Sequence, residues 1–148
     1  MPTDFFISMS LNHARHNKDA FNFLRTSNNR FYDWEVTTAF YSALQYVNAE
    51  LFPKQYENPL NNRIQNFSSF DDYYRLIKKC DHDINKHSLL QEMVEEYLPE
   101  IRDDYRTLKD NCWTARYDNY KIEEEIANLA LDCLENISKL IEPVEYNT

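Results

Sequence analysis

The residues with chemistry to offer in this chain are its four histidines, three cysteines and scattered arginines. His13 and Asn17 lie four apart, so a helix stacks them on one face. Trp34, Thr38, Tyr41, Gln45 and Asn48 recur by three and four and draw a second polar and aromatic stripe. Where the two faces meet, His13, Asn17, Tyr41, Gln45 and Asn48 form one of two things. One is a polar pocket for a small ligand or nucleotide. The other is a buried hydrogen-bonded network that fixes helix register. His16 lies roughly 300° around the helix from His13, near the edge of the same face.

Arg102, Arg106 and Arg116 sit among Asp103, Asp104, Asp110 and Asp118. They either contact phosphates or form exposed ion pairs, which contribute under about 1 kcal/mol each. Trp34, Tyr41 and Trp113 are able to stack on bases, but aromatics at helical spacing also serve as core or dimer contacts. His82 and His87 with Asp81 and Asp83 are metal-donor types, yet nothing in a polar turn fixes a coordination geometry. No metal and no cofactor is expected. Cys80, Cys112 and Cys133 are odd in number and far apart, which implies neither a disulfide framework nor a zinc knuckle. They read as small buried thiols of a cytoplasmic protein.

The elements that position these residues follow from composition and periodicity. A chain of 148 residues, 43% hydrophobic, suits one domain with one core. The net charge of -9 opposes nonspecific binding to phosphate backbones. There is no glycine. Dinucleotide fingerprints, phosphate-cradling loops and hairpin sheets rely on glycine, and its absence removes Rossmann and P-loop readings. No apolar run is long enough to span a bilayer.

Residues 1–9 read as a leader. Ser10 is placed to cap a first helix to about Arg25, with His13, Asn17, Ala20, Phe21 and Leu24 on its core face. A second helix runs from Tyr32 to Phe52 and ends at Pro53. Lys54 to Glu57 reads as a loop, and Asn58-Pro59 as the start of a short helix to Asn66 that carries Arg63. Ser69 with Asp72 approximates a capping box for a helix through Ile77. Leu90, Val94, Tyr97, Ile101, Tyr105, Leu108, Cys112 and Ala115 draw one long stripe, with a kink or restart expected at Pro99. Arg116 to Asn119 form a corner. A final helix spans about Lys121 to Ile141, faced by Ile122, Ile126, Leu129, Ala130, Cys133, Ile137 and Ile141. Residues 142–148 read as a flexible tail. The simplest way to bury these stripes is an all-α, antiparallel up-and-down bundle of four main helices, with one or two short crossover helices.

The segment Asp33 to Ala49 resembles the tryptophan-to-tyrosine helix of HEPN domains. His13-x-x-His16-Asn17 and the corner Ala115-Arg116-Tyr117-Asp118 are similar to segments of the same superfamily, and Arg63 matches a basic position after the crossover. The resemblance covers residues 10–141. It implies a helical bundle, a homodimer, and either RNA cleavage or a role in toxin–antitoxin and antiviral systems beside a nucleotidyltransferase-type partner. HEPN nucleases carry an arginine and, a few residues on, a histidine. Between Arg102 and Tyr117 this chain has arginines but no histidine, and Gln45 stands where relatives have one. Arg75 with His82 fits the spacing but falls in the wrong helix.

Metal-independent RNA cleavage needs a base and an acid that work near neutrality, the task histidine performs. Arginine stabilises charge but does not donate its proton. The resemblance therefore implies an interaction or regulatory module that lacks the usual nuclease motif. The alternatives are a metal-independent endoribonuclease using Arg116, Tyr117, His13 and Arg63, or a binder of small ligands or nucleotides through Asn17, Tyr41, Gln45, Asn48 and Arg63.

Overall fold

The computed structural model describes residues 2–118 and 121–142. The protein is mostly helical, as the periodicity predicts, with one small sheet. The helices are α1 (Pro2–Thr26), α2 (Tyr32–Leu51), α3 (Phe70–Cys80), α4 (Lys86–Tyr97), α5 (Arg102–Trp113) and α6 (Glu124–Ile141). Strands β1 (Lys54–Asn58) and β2 (Arg63–Phe67) lie between α2 and α3. None of the described helices is long and apolar enough to cross a membrane.

Helix α2 is the hub. It packs against α1, α5 and α6, and α5 packs against α6. A helix with three neighbours must be apolar around most of its surface. Val36, Ala39, Phe40, Ala43, Val47 and Leu51 are accordingly buried, and so are Thr37, Ser42 and Tyr46. The buried hydroxyls find partners. Ser42 Oγ donates to Ala14 O at 2.7 Å, and Thr37 Oγ1 to Asp33 O at 2.8 Å.

The most demanding buried group is Glu35, whose side chain has no exposed surface. Arg30 Nη2 donates to Glu35 Oε1 at 2.8 Å and Arg30 Nε to Oε2 at 3.1 Å. Arg25 Nη1 reaches Oε1 at 3.3 Å. Both arginines continue into α6: Arg25 donates to Ala127 O at 3.1 Å and Asn128 Oδ1 at 3.0 Å, and Arg30 to Glu124 Oε1 at 3.0 Å. One carboxylate thus ties the end of α1, the start of α2 and the start of α6.

The long stripe is buried as predicted from Leu90 to Ala115, except that Tyr97 is partly exposed. The restart falls where Pro99 requires it, with a 3-10 turn over Pro99–Ile101 between α4 and α5. Ser69 Oγ accepts from Asp72 N at 3.2 Å, so the cap of α3 forms as read. In α6 the buried face is Ala127, Ala130, Cys133, Leu134 and Ile137, while Leu129 faces out. Helix α6 begins at Glu124 rather than Lys121.

Three expectations are corrected. First, α1 starts at Pro2, not at Ser10, because residues 5–9 contain no breaker and Ser10 Oγ serves another purpose: it accepts from Asn48 Nδ2 at 3.3 Å. The core face of α1 is set by Ala14 and Phe21, which turns His13 and His16 outward. Second, Lys54 to Phe67 is an antiparallel hairpin rather than a loop and helix, with Lys54 paired to Phe67 and Asn58 to Arg63. Asparagine replaces the missing glycine. Asn62 adopts a φ of 59°, the left-handed region asparagine tolerates, and Asn58 Oδ1 accepts from Leu60 N at 2.8 Å as a turn rather than a helix cap. The hairpin is anchored by Tyr56, whose ring lies 5.2 Å from both Tyr73 and Tyr97 and whose hydroxyl donates to Leu51 O at 2.6 Å. Third, Cys80 is exposed, whereas Cys112 and Cys133 are buried and burial pushes the Cys133 thiol up to about 12. Glu142, read as tail, accepts from Arg15 Nε at 3.1 Å. Asn119 and residues 143–148 lie outside the described residues.

Two substitutions test this packing with opposite signs. Glu35→Ala strands two half-buried guanidinium groups and is expected to cost about 3–5 kcal/mol. Tyr105→Phe removes a buried hydroxyl that has no partner among the described residues and is expected to stabilise by about 1 kcal/mol. Urea unfolding midpoints measure both. Equal effects of the same sign would contradict the geometry.

Candidate functional site

The polar and aromatic stripe read on α2 lies at the surface. Trp34 is 46% exposed and Tyr41 42%, while Thr38, Gln45 and Asn48 are half-buried. From Trp34 to Asn48 a regular helix rises about 21 Å, so the stripe has two distant ends.

At the first end stands an aromatic face. The chain leaves α5 through a π-helical turn at Thr114–Asp118, which keeps Ala115 in the core and swings Arg116 and Tyr117 outward. The Arg116 guanidinium lies over the Trp34 ring, 4.1 Å from its centroid. Among the described residues no carboxylate pairs with Arg116. Arg102 and Arg106, in contrast, pair with Asp103 and Glu95. Tyr117 is 70% exposed, and its ring centroid lies 5.4 Å from that of Trp113. Burial raises the Tyr41 phenol above its ordinary range, and the neighbouring Cys112 and Tyr117 act in the same direction. The hydroxyl of Tyr41 is therefore neutral and remains a hydrogen-bond donor.

At the second end, two adjoining cavities of about 300 and 330 Å³ share Gln45, Asn48, Ser69 and Asp71. His13 lines the outer one, beside Phe6 and Met9 of α1. Lys86 and His87, from the first turn of α4, line the inner one. Lys86 Nζ donates to Asp71 Oδ1 at 3.1 Å. Asn85 caps α4 by accepting from Ser88 N at 2.9 Å, which fixes where His87 points.

His87 joins the two ends. It lines the inner cavity, and its ring packs edge-on against Trp113 at 4.7 Å and near Phe40 at 6.1 Å. Burial lowers its pKa below the ordinary value, with Lys109 adding to the effect. Its imidazole is neutral at pH 7.

The structure therefore divides the residues singled out from sequence. Arg116, Tyr117 and Tyr41 meet at the aromatic face, and His13, Gln45 and Asn48 meet at the cleft. His13 lines the cleft rather than the aromatic face, and the histidine that reaches the aromatic face is His87, whose ring packs on Trp113 beside Tyr117. Asn17 is half-buried on α1 and lines neither cavity. Arg63 is exposed at the start of β2 and lines neither cavity. Sequence reasoning did not select His87, Lys86, Ser69 and Asp71 for the cleft. The cap of α3 was legible, but that two helix starts converge on α2 was not. Among the described residues, no group of three or more His, Cys, Asp or Glu is placed to hold a metal.

The depressed His87 pKa has a stability consequence with a definite sign. Well above about pH 6.5 the neutral imidazole dominates in both folded and unfolded chains, so it contributes little pH dependence. As pH falls below that value, the unfolded chain binds the proton more readily, and folded stability declines. Relative to wild type, His87→Gln should gain stability between pH 7 and pH 5. Urea unfolding at both pH values checks this, and a constant difference would show that His87 is not buried in solution.

Comparison with protein families, with characterised proteins and with solved structures finds no match for this chain.

Proposed function

We propose that this protein is a HEPN-like interaction or regulatory module that associates with a second copy of itself through the aromatic face. In this reading α1, α2, α5 and α6 form the antiparallel up-and-down bundle that the sequence resemblance implies. The observation that carries the proposal is the grouping of Trp34, Tyr41, Trp113 and Tyr117 at the surface with Arg116 stacked on Trp34. Tryptophan, tyrosine and arginine are the residues most enriched among the energetic centres of protein interfaces. Exposed apolar patches of this kind mark contact surfaces more often than they occur idly.

The charge distribution supports a protein partner over RNA. The chain carries a net charge of -9, and Arg116 is the one guanidinium described at this face. Backbone phosphates call for several cations in a row. The absence of a histidine between Arg102 and Tyr117, where HEPN nucleases carry their arginine–histidine pair, likewise favours a module without cleavage chemistry. A role in a toxin–antitoxin or antiviral system, with a nucleotidyltransferase-type partner, belongs to this same proposal and rests on the resemblance alone.

Sedimentation equilibrium tests the association. Wild type is expected to dimerise, and the double substitution Trp34→Ala with Tyr117→Ala is expected to weaken the dimer by about tenfold or more while the helical circular dichroism spectrum is kept. A wild type that stays monomeric at high micromolar concentration would sink the proposal. Metal-free cleavage of RNA by the purified protein, abolished by Arg116→Ala, would replace it with the ribonuclease reading.

A further inference from the structure

The cleft at the far end of α2 has the composition of a small-molecule site. Its two cavities of about 300 and 330 Å³ fall at the lower end of the range that small ligands occupy. Leu44, Phe70 and Leu90 give the inner cavity an apolar wall, and Phe52 does the same for the outer one. Polar groups are few and convergent. Gln45 and Asn48 project from adjacent positions on one face of α2 into both cavities, and Ser69 approaches from the start of α3.

The charges at the cleft are already matched. Lys86 is engaged by Asp71 at 3.1 Å, and its Nζ also lies 5.6 Å from the Tyr74 ring centroid. His87 is uncharged at pH 7 for the reasons given above. An anion entering the inner cavity would find no uncommitted cation from α3 or α4 and would lie beside the Asp71 carboxylate. A cation would gain only a carboxylate that Lys86 already holds.

The carboxamides are less committed. Asn48 Nδ2 donates to Ser10 Oγ at 3.3 Å, while Asn48 Oδ1 is buried with no donor among the described residues. Gln45 makes no hydrogen bond among the described residues. A carboxamide presents an acceptor and a donor side by side, and its natural complement is a second amide or lactam edge with the same pair reversed. We propose that this cleft binds an uncharged small molecule through an amide or lactam edge held by Gln45 and Asn48, with its apolar body against Phe70 and Leu90. Apart from His87 the cleft shares no residue or contact group with the aromatic face, and binding of a small molecule and self-association are measured separately.

The probes are uracil, nicotinamide and nicotinate, titrated into the full chain and followed by amide NMR shifts. Uracil carries a lactam edge. Nicotinamide and nicotinate share a ring and differ in charge and in the amide. Saturable shifts at Gln45, Asn48 and His87 are expected with uracil or nicotinamide, with nicotinate at least about tenfold weaker. Gln45→Leu should weaken the neutral probes by about tenfold or more, and Gln45→Glu, which keeps the side-chain shape, should weaken them as well. Ile64→Ala, on the exposed hairpin, should leave binding unchanged. The proposal is overturned if neither neutral probe gives saturable shifts in the cleft. It is equally overturned if nicotinate binds as tightly as nicotinamide, or if the folded Gln45 variants bind like wild type.

Discussion

A carboxylate that water cannot reach must be neutralised where it lies, and Glu35 is such a group. Its two arginines come from the end of α1 and from the connection that leads into α2, and they reach onward to the first turns of α6. The pairing is directional in a way that apolar burial is not. A fork of N–H donors fits the carboxylate in only a few orientations, so the rotation of α2 relative to α1 and α6 is set at this point. That rotation decides which side of α2 meets solvent. With Glu35 held inward, Trp34, Tyr41 and Gln45 are turned outward, and the candidate surfaces exist only as a result. Whether such a pair adds net stability over an apolar replacement is a separate matter from its role in selecting one arrangement.

Much of the helical architecture is legible because periodicity is a local signal. The stripe from Leu90 to Ala115 is read directly off the chain, and Pro99 marks its interruption with no tertiary information needed. The misreadings have a common origin, which is that local signals are ambiguous where two structures share them. Asn58-Pro59 opens a helix or a turn with equal ease, and only the aromatic anchoring of Tyr56 and Phe67 against Tyr73 selects the turn. The chain has no glycine to offer, and Asn62 takes up the left-handed conformation that the tight connection requires. On α1 the faces carrying His13 and Ala14 are adjacent in angle, and which one turns inward depends on α2. Ser42 Oγ bonds to Ala14 O, a contact that no reading of α1 alone would supply.

The site was legible in part for the same reason. The stripe of Trp34, Tyr41, Gln45 and Asn48 follows from spacing on one helix, and it is where the structure concentrates unusual surface chemistry. The partners of that stripe were not legible. Arg116 reaches Trp34 because a π-helical turn adds a residue per turn after Trp113, and this irregularity leaves no periodic trace in the sequence. His87 lies in a segment that read as the edge of a polar turn. Its relation to Trp113 depends on α4 and α5 folding back at Pro99.

The stripe is one rigid element with different chemistry at each end, and this constrains how the ends influence one another. The two sites adjoin on α2, since Tyr41 of the aromatic face and Gln45 of the cleft stand about one helical turn, or about 6 Å of rise, apart. Coupling, if present, requires a group that touches both ends and has two arrangements. His87 meets the first condition, since it lines the cleft while its ring packs on Trp113, which in turn contacts Tyr117. A molecule filling the cleft would restrict the imidazole, whose ring packs edge-on against Trp113. The reverse also holds, because a partner that shifts Trp113 would alter the wall of the cleft. Linkage makes these effects reciprocal in free energy. The aromatic face and the cleft are thus separate in their binding chemistry, and a single neutral histidine is the contact through which one would sense the other.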